Sequence, residues 1–183
     1  MRVFGGRHEG GGNGRGGRIV VGPAWRLRFA VDGPTEPACE ACSGPRDEVD
    51  AAVRWLIARH DQGLAWSEMA LVVPGKRKWY PVVATTLDAL EVPHRMLIGH
   101  PGARPDCSDD VIHAMSLFTA SGFALAAVAI VGLGDFPWKQ QTLDEASMAT
   151  LAAIGTATRF LRVSWSTESP LVAAVVEAVP TSR

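Results

Sequence analysis

Four short stretches of this chain carry residue types that could do chemistry. Cys39-Glu-Ala-Cys42 has the spacing of a metal-binding or redox pair, with Cys107 as a third thiol. Pro74-Gly75-Lys76-Arg77-Lys78 groups three cations behind a glycine, a composition that suits phosphate. Gly132-Leu133-Gly134-Asp135-Phe136-Pro137 begins as a dinucleotide fingerprint does, and Ala120-Ser121-Gly122 is half of a nucleophile elbow. None of the four is complete. A structural zinc needs four ligands, and His60, His94, His100 and His113 are scattered along the chain instead of pairing near the thiols. The lysine stretch has neither the upstream glycine of a G-x-x-x-x-G-K-[ST] loop nor a hydroxyl after its lysine. Pro137 occupies the third glycine site of the fingerprint, so Gly132 and Gly134 read as a turn at a strand end. A nucleophilic Ser121 or Cys107 would need His113 and Asp110 brought to it by the fold. With no phosphate loop, the chain is not expected to turn over ATP alone.

The elements that must position these residues alternate between strand and helix. Asp47 is placed to cap a helix whose stripe is Val49, Ala52, Val53, Leu56 and Ile57, stopped near Gly63. Met69 to Val73 reads as a buried strand. A helix from Trp79-Tyr80-Pro81 turns Val82, Leu87 and Leu90 inward, and His94 to Ile98 makes another strand. After a loop at 99–108, residues 109–137 read as strand, loop, strand and glycine turn. Val111, Met115 and Leu117 share one side of the first strand, and the second is the wholly apolar run Ala126 to Val131. Leu143 to Thr158 reads as helix, Phe160 to Trp165 as strand, and Pro170 to Ala178 as a closing helix. A short apolar strand covered on both faces belongs in a parallel sheet between helices. The expectation is an α/β fold of right-handed crossovers around a mostly parallel sheet flanked by helices.

The N-terminal part has a different composition. Residues 1–18 are a Gly/Arg-rich tail that cannot bury enough surface to offset its ordering entropy, and disorder is expected there. Its Arg15-Gly-Gly-Arg18 piece is similar to arginine–glycine segments that hold single-stranded nucleic acid. Residues 19–44 read as short strands, broken at Gly22-Pro23, followed by a linker, and the regular domain spans 45–183. At 183 residues the chain has room for one domain with a core. A net charge of -1 argues against wholesale electrostatic capture of nucleic acid. No apolar run reaches the ~18 residues of a membrane span, and the start lacks a secretory signal, so a cytoplasmic location without membrane association is expected.

The segment from Ser116 to Val128 resembles, position by position, the T-x-H-x-x-K-G-L-E-F-x-x-V segment in the second RecA-like lobe of UvrD/Rep-type DNA helicases. Gly122 keeps the family's glycine, while its His, Lys and Glu positions hold Phe118, Ser121 and Ala124. Trp66 to Val73 looks like the family's I-A-V-L strand, and Leu90 to His94 like its L-x-x-x-G-I-P turn. Leu151 to Trp165 looks like Y-V-A-x-T-R-A-x-x-x-L-x-V-S-W, which puts the Thr-Arg-Ala triplet on Gly155, Thr156 and Ala157. The resemblance covers roughly residues 45–166.

The resemblance implies a RecA-like, P-loop NTPase-like domain and a C-terminal helicase lobe encoded without its phosphate-loop lobe. Such a lobe closes over nucleotide held by the first lobe and contributes arginines to the transferring phosphoryl group. Thr156 stands at that arginine's position, and Arg159, about one helical turn on, is the residue that could reach back. Lys76, Arg77 or Lys78 could supply charge after the I-A-V-L-like strand. Nucleotide-binding candidates are therefore Lys76, Arg77, Gly122 and Arg159, nucleic-acid candidates are Arg15 and Arg18, and no catalytic or metal residue is assigned. The expected protein is a pseudoenzyme that requires no cofactor alone, with ATP and Mg²⁺ bound only when a first helicase lobe completes the site in trans. Single-stranded DNA is the other expected partner, and Trp138, Met148 and Trp165 are candidates for the lobe interface. The alternative function is a non-catalytic module that binds single-stranded nucleic acid. The family's long insertion is replaced by the loop at 99–108, which removes one usual surface for duplex DNA.

Overall fold

A computed structural model describes residues 37–74, 78–98, 106, 108–136 and 142–178. Arg15 and Arg18, the strands expected before Val31, Lys76, Arg77, most of the 99–108 loop with Cys107, and Pro137 and Trp138 lie outside the described residues.

Six strands form one parallel sheet. They are β1 (Ala38–Ala41), β2 (Met69–Val73), β3 (His94–Met96), β4 (Ile112–Ser116), β5 (Leu125–Ile130) and β6 (Ala157–Trp165). Their order is β1-β6-β5-β2-β4-β3, and every pairing is parallel. Helices α1 (Pro45–Asp61) and α2 (Trp79–Ala89) cover one face. The short α3 (Leu117–Ala120), α4 (Leu143–Ile154) and α5 (Pro170–Ala178) cover the other. Alternation along the central strands assigns the side chains to these layers. Met69, Leu71 and Val73 of β2 pack toward α1 and α2, whereas Ala70 and Val72 join the α4 and α5 layer. Each fully buried Val, Leu or Ile in this arrangement contributes about 1.5–3 kcal/mol. The expected three-layer α/β architecture is therefore present.

Several boundaries differ from the sequence expectation. β1 lies inside the stretch read as linker. Its four residues are half-buried or exposed, so they carry no apolar signature, and pairing with Arg162 to Trp165 holds them. Helix α1 starts with Pro45 at its first position and Gly44 before it, two residues ahead of Asp47. Asp47 instead reaches back to accept from the Ser43 N–H at 2.9 Å and its hydroxyl at 3.0 Å. In α2 the inward row is Trp79, Val83, Thr86 and Leu87, with Val82 and Leu90 half-buried beside it. Leu117, read as part of the strand, and residues 118–120, read as loop, form α3, capped by Ser116, whose Oγ accepts from the Thr119 N–H at 3.1 Å. Helix α4 stops at Ile154, and β6 begins at Ala157 instead of Phe160. The Thr156 carbonyl accepts from the Leu125 N–H at 2.8 Å, which draws the chain onto β5 as soon as the helix ends. A register shift in the β5–β6 ladder follows Leu125, beside Thr158, whose hydroxyl donates to the Leu125 carbonyl at 3.0 Å.

Candidate functional site

Two edges of the sheet carry the residues that chemistry would use. At the N-terminal edge of β5 and β6, the fold brings the two most altered segments of the helicase resemblance together. Ser121 to Ala124 leads into β5, Gly155 and Thr156 lead into β6, and the Leu125–Thr156 backbone bond joins them. Gly122 adopts φ +97°, the left-handed region that favours glycine, and lets the chain turn from α3 into β5. Ser121, Gly122 and Ala124 are exposed, and Phe118 is 52% exposed with its ring edge-on to Phe136 at 6.5 Å. Thr156 is 1% exposed, and its hydroxyl donates inward to the Ala153 carbonyl at 2.6 Å. Its side chain therefore serves the turn between α4 and β6. Arg159 lies in β6 and not on a helix with Thr156, so the one-helical-turn relation does not exist. Its guanidinium carbon sits 5.2 Å from the Phe160 ring centroid.

At the second edge, sequence reasoning had named Pro74, Lys78 and the Gly132–Asp135 turn but not Glu48. β2 leads toward β3 on one side and β5 leads toward β6 on the other, so the C-terminal ends of these two neighbouring strands form the topological switch point. Pro74 and Gly132 follow them, and Glu48 from the first turn of α1 is buried beneath. One Glu48 carboxylate oxygen accepts from the Gly132 N–H in a short hydrogen bond, and Oε2 has no hydrogen-bond partner. Burial pushes the Glu48 carboxyl up from 4.5 to about 7, against favourable contacts from the Gly132 N–H, the Ser166 side chain and Lys78. Ser166 thus lies close enough to act on the charge without making a well-aligned bond to Oε2. Asp135 pairs with Lys78 and accepts from the Trp79 indole N–H at 3.0 Å. Glu48, Ala52 and Leu56 form one i, i+4 row, so an acid continuing the apolar stripe of α1 was the available signal. Trp79→Phe removes the indole donor from a ring that is 1% exposed. A loss of about 1–2 kcal/mol in urea unfolding is expected.

Of the expected nucleotide-binding residues, Gly122 and Arg159 lie at the N-terminal end of the strands, while Lys76 and Arg77 lie outside the described residues; their described neighbours Pro74 and Lys78 are at the C-terminal edge. A six-residue strand spans about 20 Å. The side chains of the nucleophile reading are engaged separately among the described residues. Ser121 Oγ donates to the Phe118 carbonyl at 2.8 Å, Asp110 accepts from the Ser67 N–H at 3.1 Å, and His113 Nε2 accepts from the Asp106 N–H at 3.2 Å. Cys39 and Cys42 are free thiols, and burial followed by nearby carboxylates pushes Cys42 up to about 11. Among the described residues no group of three or more His, Cys, Asp or Glu could hold a metal. Met148 is 53% exposed on α4, while Trp165 is buried with its indole N–H donating to Glu168 at 2.9 Å. No described helix is long and apolar enough to cross a membrane.

Among solved structures, this architecture is similar to the C-terminal domain of a possible DNA helicase from Lactobacillus plantarum WCFS1. The TM-score is 0.58 at 17% identity, over 81% of this chain and 85% of that one. The two share a fold, a parallel sheet with helices on both faces, consistent with the RecA-like fold that the resemblance implies. A second match, to the C-terminal part of the Fun30 ATPase domain, has a TM-score of 0.45 at 13% identity, over 75% of this chain and 46% of that one. No family model and no curated protein matches the sequence.

Proposed function

We propose that this chain is the second RecA-like lobe of a UvrD-type helicase system and is catalytically silent on its own. The observation that carries the reading is the N-terminal edge of β5 and β6. The segments that couple nucleotide to DNA in the resembling family meet there, with Ser121, Ala124 and Thr156 at three of their polar positions, while Phe118, at the fourth, follows β4 and lies against Phe136. The inward turn of the Thr156 hydroxyl supports it further, because nothing at that position is presented to a phosphoryl group. These residues do not fit a nucleotide by themselves: phosphate oxygens need directed donors or cations, and these four side chains carry no charge. ATP and Mg²⁺ then belong to a composite site whose phosphate loop comes from a separate first lobe. This chain supplies the covering surface around Gly122. Titration with a fluorescent ATP analogue in the presence of Mg²⁺ tests this directly. The folded chain alone is expected to give no saturable signal, and a saturable Mg²⁺-dependent signal would contradict the reading.

A further inference from the structure

On the sheet face opposite α1 and α2, a buried histidine ties a surface segment to the sheet. His113 lies in β4 between Ile112 and Ala114, which pack toward α1 and α2, so its ring points to the other layer, as Met115 does. It is fully buried. Its Nε2 accepts from the Asp106 backbone N–H at 3.2 Å. A ring nitrogen that accepts from an N–H carries no proton, so the imidazole is neutral with its hydrogen on Nδ1. That Nδ1 is also buried, and it has no hydrogen-bond partner. The ring is thus engaged through one bond, and that bond holds the chain ahead of β4 against the sheet.

The charged groups around the ring are few. Arg95, the register neighbour of His113 on β3, pairs with Asp109 and lies 3.9 Å from Asp106. Asp110 accepts from the Ser67 N–H at 3.1 Å, and Glu68, in the turn that packs on β4, accepts from the Ala65 N–H at 3.1 Å. Helix α3, which also packs on β4, carries no charge. Burial, and after it the Arg95 charge, holds the His113 pKa below 6.5, while Asp106 and Asp109 pull it upward. We infer that His113 is a pH-operated latch, whose protonation undocks Asp106 and the Ser108 turn bonded to it while the core stays folded. A protonated Nε2 is a donor facing the Asp106 N–H, so their bond is lost, and a new positive charge stands buried beside Arg95. Undocking admits water to the ring and makes protonation easier, so proton uptake and opening favour each other. Arg95 keeps Asp109, and the Ser67 N–H keeps Asp110, which limits the opening to the residues before them. The inference rests on this cluster and not on the helicase-lobe reading.

The test is NMR of the full-length chain between about pH 7.5 and 4.5, following the His113 imidazole and the backbone amides together. Asp106 keeps its charge over this range, because the Ser108 N–H and hydroxyl hold its carboxyl below the usual 3.8. Protection of the Asp106 amide, corrected for the pH dependence of intrinsic exchange, should fall about tenfold or more with the midpoint of the ring titration. That midpoint should lie below 6.5, and the amides of β2 should keep their protection. His113→Gln retains an acceptor and does not titrate, so Asp106 should stay protected throughout. His113→Phe removes the acceptor, so Asp106 should already be open at pH 7.5. Glu48→Gln removes the other buried group that titrates in this range, on the α1 side, and should leave the change at Asp106 in place. Cooperative melts at both ends of the range accompany each variant, and the wild-type titration decides the matter even where a variant does not fold. Any of three results would overturn the inference: Asp106 protection that does not follow the ring titration, acid-induced loss in folded His113→Gln equal to that of the wild type, or simultaneous loss at β2, which is global unfolding.

Discussion

Replacing Glu48 with glutamine is expected to remove a pH-dependent loss of stability on the order of 3 kcal/mol. The carboxyl is fully buried and its pKa rises from 4.5 to about 7, so the folded state holds a proton that the unfolded chain releases earlier. The sign follows. The stabilisation from that proton is fully present below pH 4.5, declines as pH rises toward 7, and is absent above it. Glutamine is neutral throughout and can still accept from the Gly132 N–H. Glu48→Gln should therefore match the wild type near pH 4 and exceed it in urea unfolding at pH 8. Burial lowers the pKa of His113, which contributes with the opposite sign, since the unfolded histidine takes up a proton that the buried one refuses. The difference between the two proteins, rather than either curve alone, isolates Glu48. Parallel curves for wild type and variant from pH 5 to 8 would show that the carboxyl is not buried as described.

Gly134→Ala is expected to cost roughly 3 kcal/mol or more, enough to unfold a marginal domain. A Cβ there would sit 1.9 Å from the Thr167 carbonyl oxygen and 2.7 Å from its carbon. Both are backbone atoms of the chain that leaves β6, so relief requires the turn after β5 to part from that segment. The turn also holds Asp135, the partner of Trp79 and Lys78, and the damage should spread to the Glu48 edge. Gly44→Ala serves as the comparison, since a Cβ there meets nothing within 4 Å, and its cost should stay below about 1 kcal/mol. Urea unfolding of both variants measures this. Equal midpoints would mean that the packing of Gly134 on Thr167 is wrong.

The sequence made the fold legible where side chains are apolar and periodic. The α1 stripe, the fully buried β2 and the run ending at Val131 announced a parallel sheet, and the sheet is there. β1 was hidden because Ala-Cys-Glu-Ala at a sheet edge depends on backbone pairing to β6, which leaves little trace in composition. The end of α4 was hidden because Ala157 and Thr158 suit either element, and the choice is made by a long-range bond from Leu125. At the candidate site, the meeting of Gly122 and Thr156 at one edge comes from the parallel pairing of β5 with β6, which the spacing of the two segments does not state. Glu48 was missed because a carboxylate beside Asp47 reads as a solvated helix start, although its i, i+4 row points inward. Arg59 and Phe160 stand about 100 positions apart in sequence, and only the packing of α1 on β6 brings them together.

The function proposed above requires that this chain perform no ATP chemistry alone. Its most direct test is ATP hydrolysis by the purified full-length chain with Mg²⁺, with and without single-stranded DNA, after a cooperative melt has been recorded. The account predicts turnover indistinguishable from the protein-free blank under both conditions. DNA-stimulated turnover that follows the folded protein through purification would contradict it, because a phosphate site would then have to exist within this chain.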